Sequence, residues 1–176
     1  MMKNKRSIKG ITKQQYRLFI AGVKPAILFL KPLPSYQKEL VDILMALNYP
    51  FCEYSEKRRL MFFQNEEMKK EFESSNEFIS TKEGLALGFP KRSVEDHYFN
   101  LVHNSRFVLV DYHGINFVSD QEYVGQEIEE IQKTMPVPEH LQTGIRLNLE
   151  RGKTEWFDYE EIIDILNMLN LQKTTV

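Results

Sequence analysis

Apolar residues recur in this chain at two distinct spacings, and the alternation between them predicts its elements. Tyr16, Phe19 and Ile20 lie at helical spacing, and Thr12 before them is a residue type that caps helices. This predicts a helix from Thr12 to about Ala21, closed by Gly22. The run Val23 to Leu30 is short and apolar throughout, and fits a buried strand or a helix with Pro25 near its start. Pro34-Ser35 opens a helix to about Asn48, with Tyr36, Leu40, Ile43, Leu44 and Leu47 repeating on one side. Tyr49–Tyr54 and Arg59–Phe63 read as two strands around the polar turn Ser55-Glu-Lys-Arg58, hence a hairpin. Asn65 then caps a short charged helix with Met68 and Phe72 at i and i+4.

The pattern changes again in the second half. Phe107–Tyr112 and Ile115–Val118 are β-branched and aromatic, and only His113-Gly114 separates them, which predicts a tight second hairpin. Asp120 caps a helix whose stripe is Val124, Ile128, Ile131 and Met135, ended by Pro136-Val-Pro138. Ile145, Leu147 and Leu149 alternate as in an exposed strand. Asp158 with Glu161 forms a capping box for a final helix carrying Tyr159, Ile162, Ile163, Leu166 and Leu169. Strands that cluster in hairpins predict an α+β fold: a small, mostly antiparallel sheet packed with about five to seven helices. Residues 1–11 read as a flexible basic arm and 12–172 as a single domain.

The stretch Phe78–Asn100 has the densest punctuation. Ser80 with Glu83 reads as a capping box, Gly88 and Pro90 end that helix, and Ser93 with Asp96 starts another. The spacing is that of a helix-turn-helix, with Gly84 at the small position, Leu87 and Val94 at buried ones, and Gly88-Phe89-Pro90 at the turn. Two features oppose DNA reading. Glu83 stands where an apolar residue is expected, and the second helix offers Glu95 and Asp96 to phosphates. Lys91 and Arg92 offset this only in part. A packed helix corner is the simpler reading, with the Lys91-Arg92 tip as its exposed contact point.

Composition adds modest constraints. The chain has 176 residues, a formal net charge of −2 and 12% aromatic content, as in a folded globular protein. Charge is unevenly placed: nine Lys or Arg precede the first acid, Glu39, and Asp120–Glu130 is acidic. Such a split can bind an anionic partner and can equally let one part of the chain sit beside another or a subunit beside its twin; a solvated or self-complementary surface is the simpler reading. One cysteine, Cys52, excludes an internal disulfide and suggests a reducing cytoplasm. No apolar run is long enough to span a bilayer, and the basic start is not followed by a signal-type apolar core, so no membrane partner is expected.

Motifs for catalysis are missing. His97, His103, His113 and His140 show no metal-ligand spacing, and no Gly-rich phosphate loop or Gly-x-Ser-x-Gly elbow occurs, so no metal and no cofactor are expected. Cys52 in a strand reads as a small buried hydrophobe, and Asp111 with His113 shares a strand face without requiring a mechanism. An enzyme using a cleft near Lys24, Cys52 or His113 is the third reading. Lys24 beside Pro25 offers a fixed cation at an element entrance.

Ala21-Gly-Val-Lys-Pro-Ala-Ile-Leu-Phe29 and Gly84-Leu-Ala-Leu-Gly-Phe-Pro-Lys-Arg-Ser-Val94 together resemble an uncharacterised bacterial family of small cytosolic proteins with Ala-Gly-x-Lys-Pro-Ala-x-Leu-Phe and Gly-x-x-Leu-Gly-aromatic-Pro-x-x-x-Val elements. The match covers roughly half the chain, residues 16–100. Where that family tends to carry His-Glu, this chain has Thr81 and Lys82. The resemblance implies a shared fold in a bacterial or phage context and no known activity. The resulting expectation is a cytoplasmic binding or regulatory protein rather than an enzyme. A protein partner or self-association comes first and DNA binding through residues 80–100 with the basic arm is the alternative. The binding candidates are Lys24, Pro25, Gly84, Gly88, Phe89, Pro90, Lys91 and Arg92.

Overall fold

The computed structural model describes residues 8–95, 106–149 and 156–159. They form six α-helices, a 3-10 turn and seven strands in two antiparallel sheets, an α+β fold. The chain divides into two compact units, 1–88 and 89–176, each with its own sheet.

The first unit runs α1 (Ile8–Ile20), β1 (Ala26–Leu30), α2 (Ser35–Ala46), β2 (Phe51–Tyr54), β3 (Arg59–Phe63), α3 (Glu66–Ser74) and α4 (Ile79–Ala86). The sheet order is β1-β3-β2, and the register sets Ile27 opposite Phe62 and Met61 between Leu28 and Cys52. Because side chains alternate across a strand, β3 feeds two cores at once. Leu60 and Phe62 join Ile27 and Phe29 under Phe19 of α1 and Val41 and Leu44 of α2. Met61 and Phe63 join Ala26 under Phe72 of α3, with Ala86 and Leu87 beside them. Both faces of the sheet are therefore covered, and this explains why β1 and β3 read as continuous apolar runs.

The predicted β2–β3 hairpin forms, its turn passing through Ser55, Glu56 and Lys57 at φ 50, 56 and 62°. The ambiguous run from Val23 resolves as a loop and a strand, and Asn65 caps α3 by accepting from the Met68 amide at 2.9 Å. Several boundaries differ from expectation. Helix α1 begins at Ile8, ahead of Thr12, and buries Leu18 and Phe19 while Ile20 is exposed. Helix α2 is rotated so that Val41 and Leu44 face the sheet, leaving Ile43 and Leu47 outside. In α3 only Phe72 of the expected pair is buried.

The second unit contains α5 (Lys91–Glu95), β4 (Phe107–Tyr112), β5 (Ile115–Asp120), α6 (Val124–Thr134), a 3-10 turn (Glu139–Leu141), β6 (Ile145–Asn148) and β7 (Phe157–Asp158). Its sheet order is β5-β4-β6-β7. The predicted tight hairpin forms around His113 and Gly114, both left-handed at φ 51 and 94°. The α6 stripe Val124, Ile128, Ile131 and Met135 is buried, and Tyr112 donates from its hydroxyl to the Met135 carbonyl at 3.0 Å. This places α6 over the sheet face of Val108, Val110 and Tyr112.

Asp120 does not cap α6. It still belongs to the β5 ladder, and its carboxylate accepts from the Glu122 amide in a turn that delays the helix to Val124. β6 is an interior strand, with Leu147 fully buried rather than exposed. Glu161 and the final expected helix lie outside the described residues.

Candidate functional site

The Lys24-Pro25 segment is a bend held by backbone bonds. Gly22, at φ 74°, closes α1 through its amide to the Phe19 carbonyl at 2.9 Å, and the amides of Val23 and Lys24 return to Leu18. The Gln64 side chain donates to the carbonyls of Phe19 at 2.6 Å and Lys24 at 2.9 Å, and its own amide donates to Pro25. These bonds turn the Lys24 side chain inward, where it is 1% exposed. Its Nζ donates to the carbonyl of Leu87 at 3.5 Å, where α4 ends. A cation suits that position because the last carbonyls of a helix are unpaired and carry negative partial charge. Burial nevertheless lowers the Lys24 pKa to about 8. Lys24 is thus a buried brace between the bend after α1 and the end of α4, not a cation presented at a cleft.

Helix α4 differs from the expected capping box. The Lys82 amide bonds the Phe78 carbonyl, so the first turn opens ahead of Ser80. The Glu83 carboxylate is turned away from Ser80, meeting Arg59 Nη1 at 2.5 Å beside the turn of the β2–β3 hairpin. Glu83 is 7% exposed and Arg59 about one third exposed. The Tyr54 hydroxyl and Glu83 Oε1 are both buried, and the two side chains lie close enough to interact. Burial raises the Tyr54 pKa above the ordinary phenol value, and the Glu83 carboxylate raises it further. Gly84 is buried beside Glu83, and Gly88 ends the helix at φ 80°. Lys82 lies over the Phe72 ring at 4.5 Å and donates to the Phe72 carbonyl at 3.3 Å.

Phe89, Pro90, Lys91 and Arg92 begin the second unit. Pro90 is buried and its carbonyl accepts from the Val94 amide, so α5 starts at Lys91 without a Ser93 cap. Ser93 instead donates from its hydroxyl to the Val118 carbonyl at 2.5 Å, anchoring α5 to β5. The Phe89 and Phe117 rings lie 6.3 Å apart. Lys91 and Arg92 are exposed. Lys91 pairs with Glu95 at 3.5 Å, and the Arg92 guanidinium sits 3.9 Å over the Tyr123 ring. Asp96 and His97 lie outside the described residues, as does His103.

The other ionisable candidates are engaged in structure. Asp111 accepts from the Gly114 amide at 2.6 Å and pairs with Arg146 across the β4–β6 ladder. His113 Nδ1 accepts from the amides of Thr143 and Gly144, each at 3.1 Å. Cys52 is half-buried beside Met61, and burial, followed by the Glu73 carboxylate, raises its pKa to about 11. Lys24 and Cys52 lie in the first unit and His113 in the second. Among the described residues no three His, Cys, Asp or Glu side chains gather as a metal site would require, and no helix is long and apolar enough to cross a membrane. A shallow groove along the outer side of α2, lined by Leu33, Lys38, Asp42 and Ile43 among others, holds none of the sequence-predicted candidates.

Sequence reasoning missed Arg59, Tyr54 and Arg146 as partners. Glu83 carried a signal, being the lone acid at a position a helix corner would make apolar. Its partner, 24 residues away, carried none. No family model, no curated protein and no solved structure matches this chain.

Proposed function

We propose that this chain is a cytoplasmic binding or regulatory protein that acts by contact, through the Lys91-Arg92 tip of α5, with an acidic surface on a protein partner or a second copy of itself. The reading rests on how the ionisable groups are used. Lys24, Glu83, Asp111 and His113, the groups a reaction would draw on, are buried against backbone groups or paired with an arginine. Catalysis needs such groups within reach of a substrate. Lys91 and Arg92 are exposed on a turn of helix rooted by the Ser93–Val118 bond, so they offer charge at low ordering cost. The motif resemblance supports a bacterial setting.

Capture from bacterial extract with the tagged protein tests this, comparing wild type with the pair Lys91→Glu and Arg92→Glu. A species captured by the wild type and lost with the double variant is expected; equal capture removes the tip from the reading. DNA binding is the competing reading, supported by the run of cations before Glu39, of which Lys24 alone among the described residues is buried. It requires a gel shift that weakens as salt rises and disappears with the same double variant, since phosphate contacts release counterions. Glu95, exposed beside the tip, works against it.

A further inference from the structure

The β4–β5 turn places a histidine against the loop that leads into β6. The left-handed conformation of His113 and Gly114 is what a two-residue hairpin requires. The His113 ring is turned inward and is 8% exposed. Two successive amides, Thr143 and Gly144, converge on its Nδ1. Gly144 at φ 87° lets both N–H groups point the same way, a concave arrangement that ordinarily receives an anion or a lone pair. A ring nitrogen that accepts two hydrogen bonds carries no proton, so the imidazole is neutral with its proton on Nε2. One bond returns: the His113 amide donates to the Gly144 carbonyl at 3.1 Å.

The described charged groups around the ring are few. Asp111 on β4 is engaged with the Gly114 amide and with Arg146 on β6. The Tyr112 ring lies 4.7 Å from the imidazole, and its hydroxyl is turned to Met135. Thr143 and Gly144 bring no ionisable group.

We propose that His113 is an acid-sensitive clasp: proton uptake at Nδ1 releases the amides of Thr143 and Gly144 from the imidazole, while the His113–Gly144 backbone bond and the strands remain paired. A protonated Nδ1 becomes a donor facing two donors, and the imidazolium charge is left buried. Burial lowers the His113 pKa from the ordinary 6.5, with Asp111 opposing that shift. An open ring therefore takes up a proton before the clasped ring does. The clasp is complete above pH 6.5 and is opposed increasingly as pH falls from there through the lowered value. The β4–β6 ladder and the His113 amide do not use the imidazole, so the release is confined to two residues.

Residue-resolved amide hydrogen exchange on the whole protein, between about pH 7.5 and about pH 5 and corrected for intrinsic exchange, tests this. Protection at Thr143 and Gly144 is expected to fall about tenfold or more on acidification, while the His113 and β4 amides keep theirs. His113→Asn keeps an acceptor oxygen near the Nδ1 position, tolerates the left-handed backbone and cannot titrate. It should hold both amides protected throughout. His113→Phe should leave them exchanging at both ends of the range. Unchanged protection in the wild type overturns the clasp, as does acid loss persisting in His113→Asn, or loss at all β4 amides together, which marks global unfolding.

Discussion

Lys24 Nζ and the Leu87 carbonyl meet at 3.5 Å, joining the bend after α1 to the end of α4 across 63 residues of chain. The ammonium is fully enclosed and its pKa is lowered to about 8 from an ordinary 10.5. Between those values the unfolded chain binds the proton more firmly than the folded one, so stability from this group rises as pH climbs from 8 to 10.5. The full effect is on the order of 3 kcal/mol. Lys24→Met, which keeps the length and removes the charge, should lose that slope in urea unfolding measured across the window. A parallel pH dependence in both proteins would show that Lys24 is not buried as a cation. Lys24→Ala loses the same slope and also opens a cavity, so it should be less stable than Lys24→Met by about 2–4 kcal/mol at any pH.

The Arg59–Glu83 pair is lopsided, and its two truncations should differ. Arg59→Leu strands a buried carboxylate and should cost about 2–4 kcal/mol. Glu83→Leu leaves Arg59 free to reach water and adds an apolar side chain to the segment whose Ala86 and Leu87 already pack on the core, so its cost should stay within about 1 kcal/mol. Equal costs in chemical denaturation would mean that the carboxylate finds other support when Arg59 is removed.

Cys52 should behave as an inert thiol. With its pKa raised to about 11 from 9.0, it holds roughly a hundredfold less thiolate near pH 8 than an ordinary cysteine. Alkylation of the folded protein at that pH should be slower by about that factor and return to the free-thiol rate in denaturant. Fast labelling of the native protein would instead expose an accessible, activated thiol.

How far these features could be read in advance depends on their range. The hairpins Phe51–Phe63 and Phe107–Val118 were legible, because alternation and turn chemistry are properties of a few consecutive residues. The Asn65 cap and the α6 stripe were legible for the same reason. Ser80, Ser93 and Asp120 carried correct capping chemistry that went elsewhere. Glu83 was drawn to Arg59, the Ser93 hydroxyl to Val118, and Asp120 was retained by the β5 ladder. Arg59, Val118 and, for the Asp120 backbone, Phe107 all lie outside the local window, and a local motif does not register such competitors.

The sequence alone determined the α+β class, the two hairpins and the glycine corners at Gly22 and Gly88, since backbone sterics and side-chain periodicity act between neighbours. The tertiary structure alone decided what the ionisable residues do. Lys24 could have been an exposed cation and His113 a surface histidine, and nothing within a few residues of either distinguishes those states. Their burial is set by Leu87 and by Thr143 and Gly144, and desolvation acts on a charge only once distant chain has closed around it.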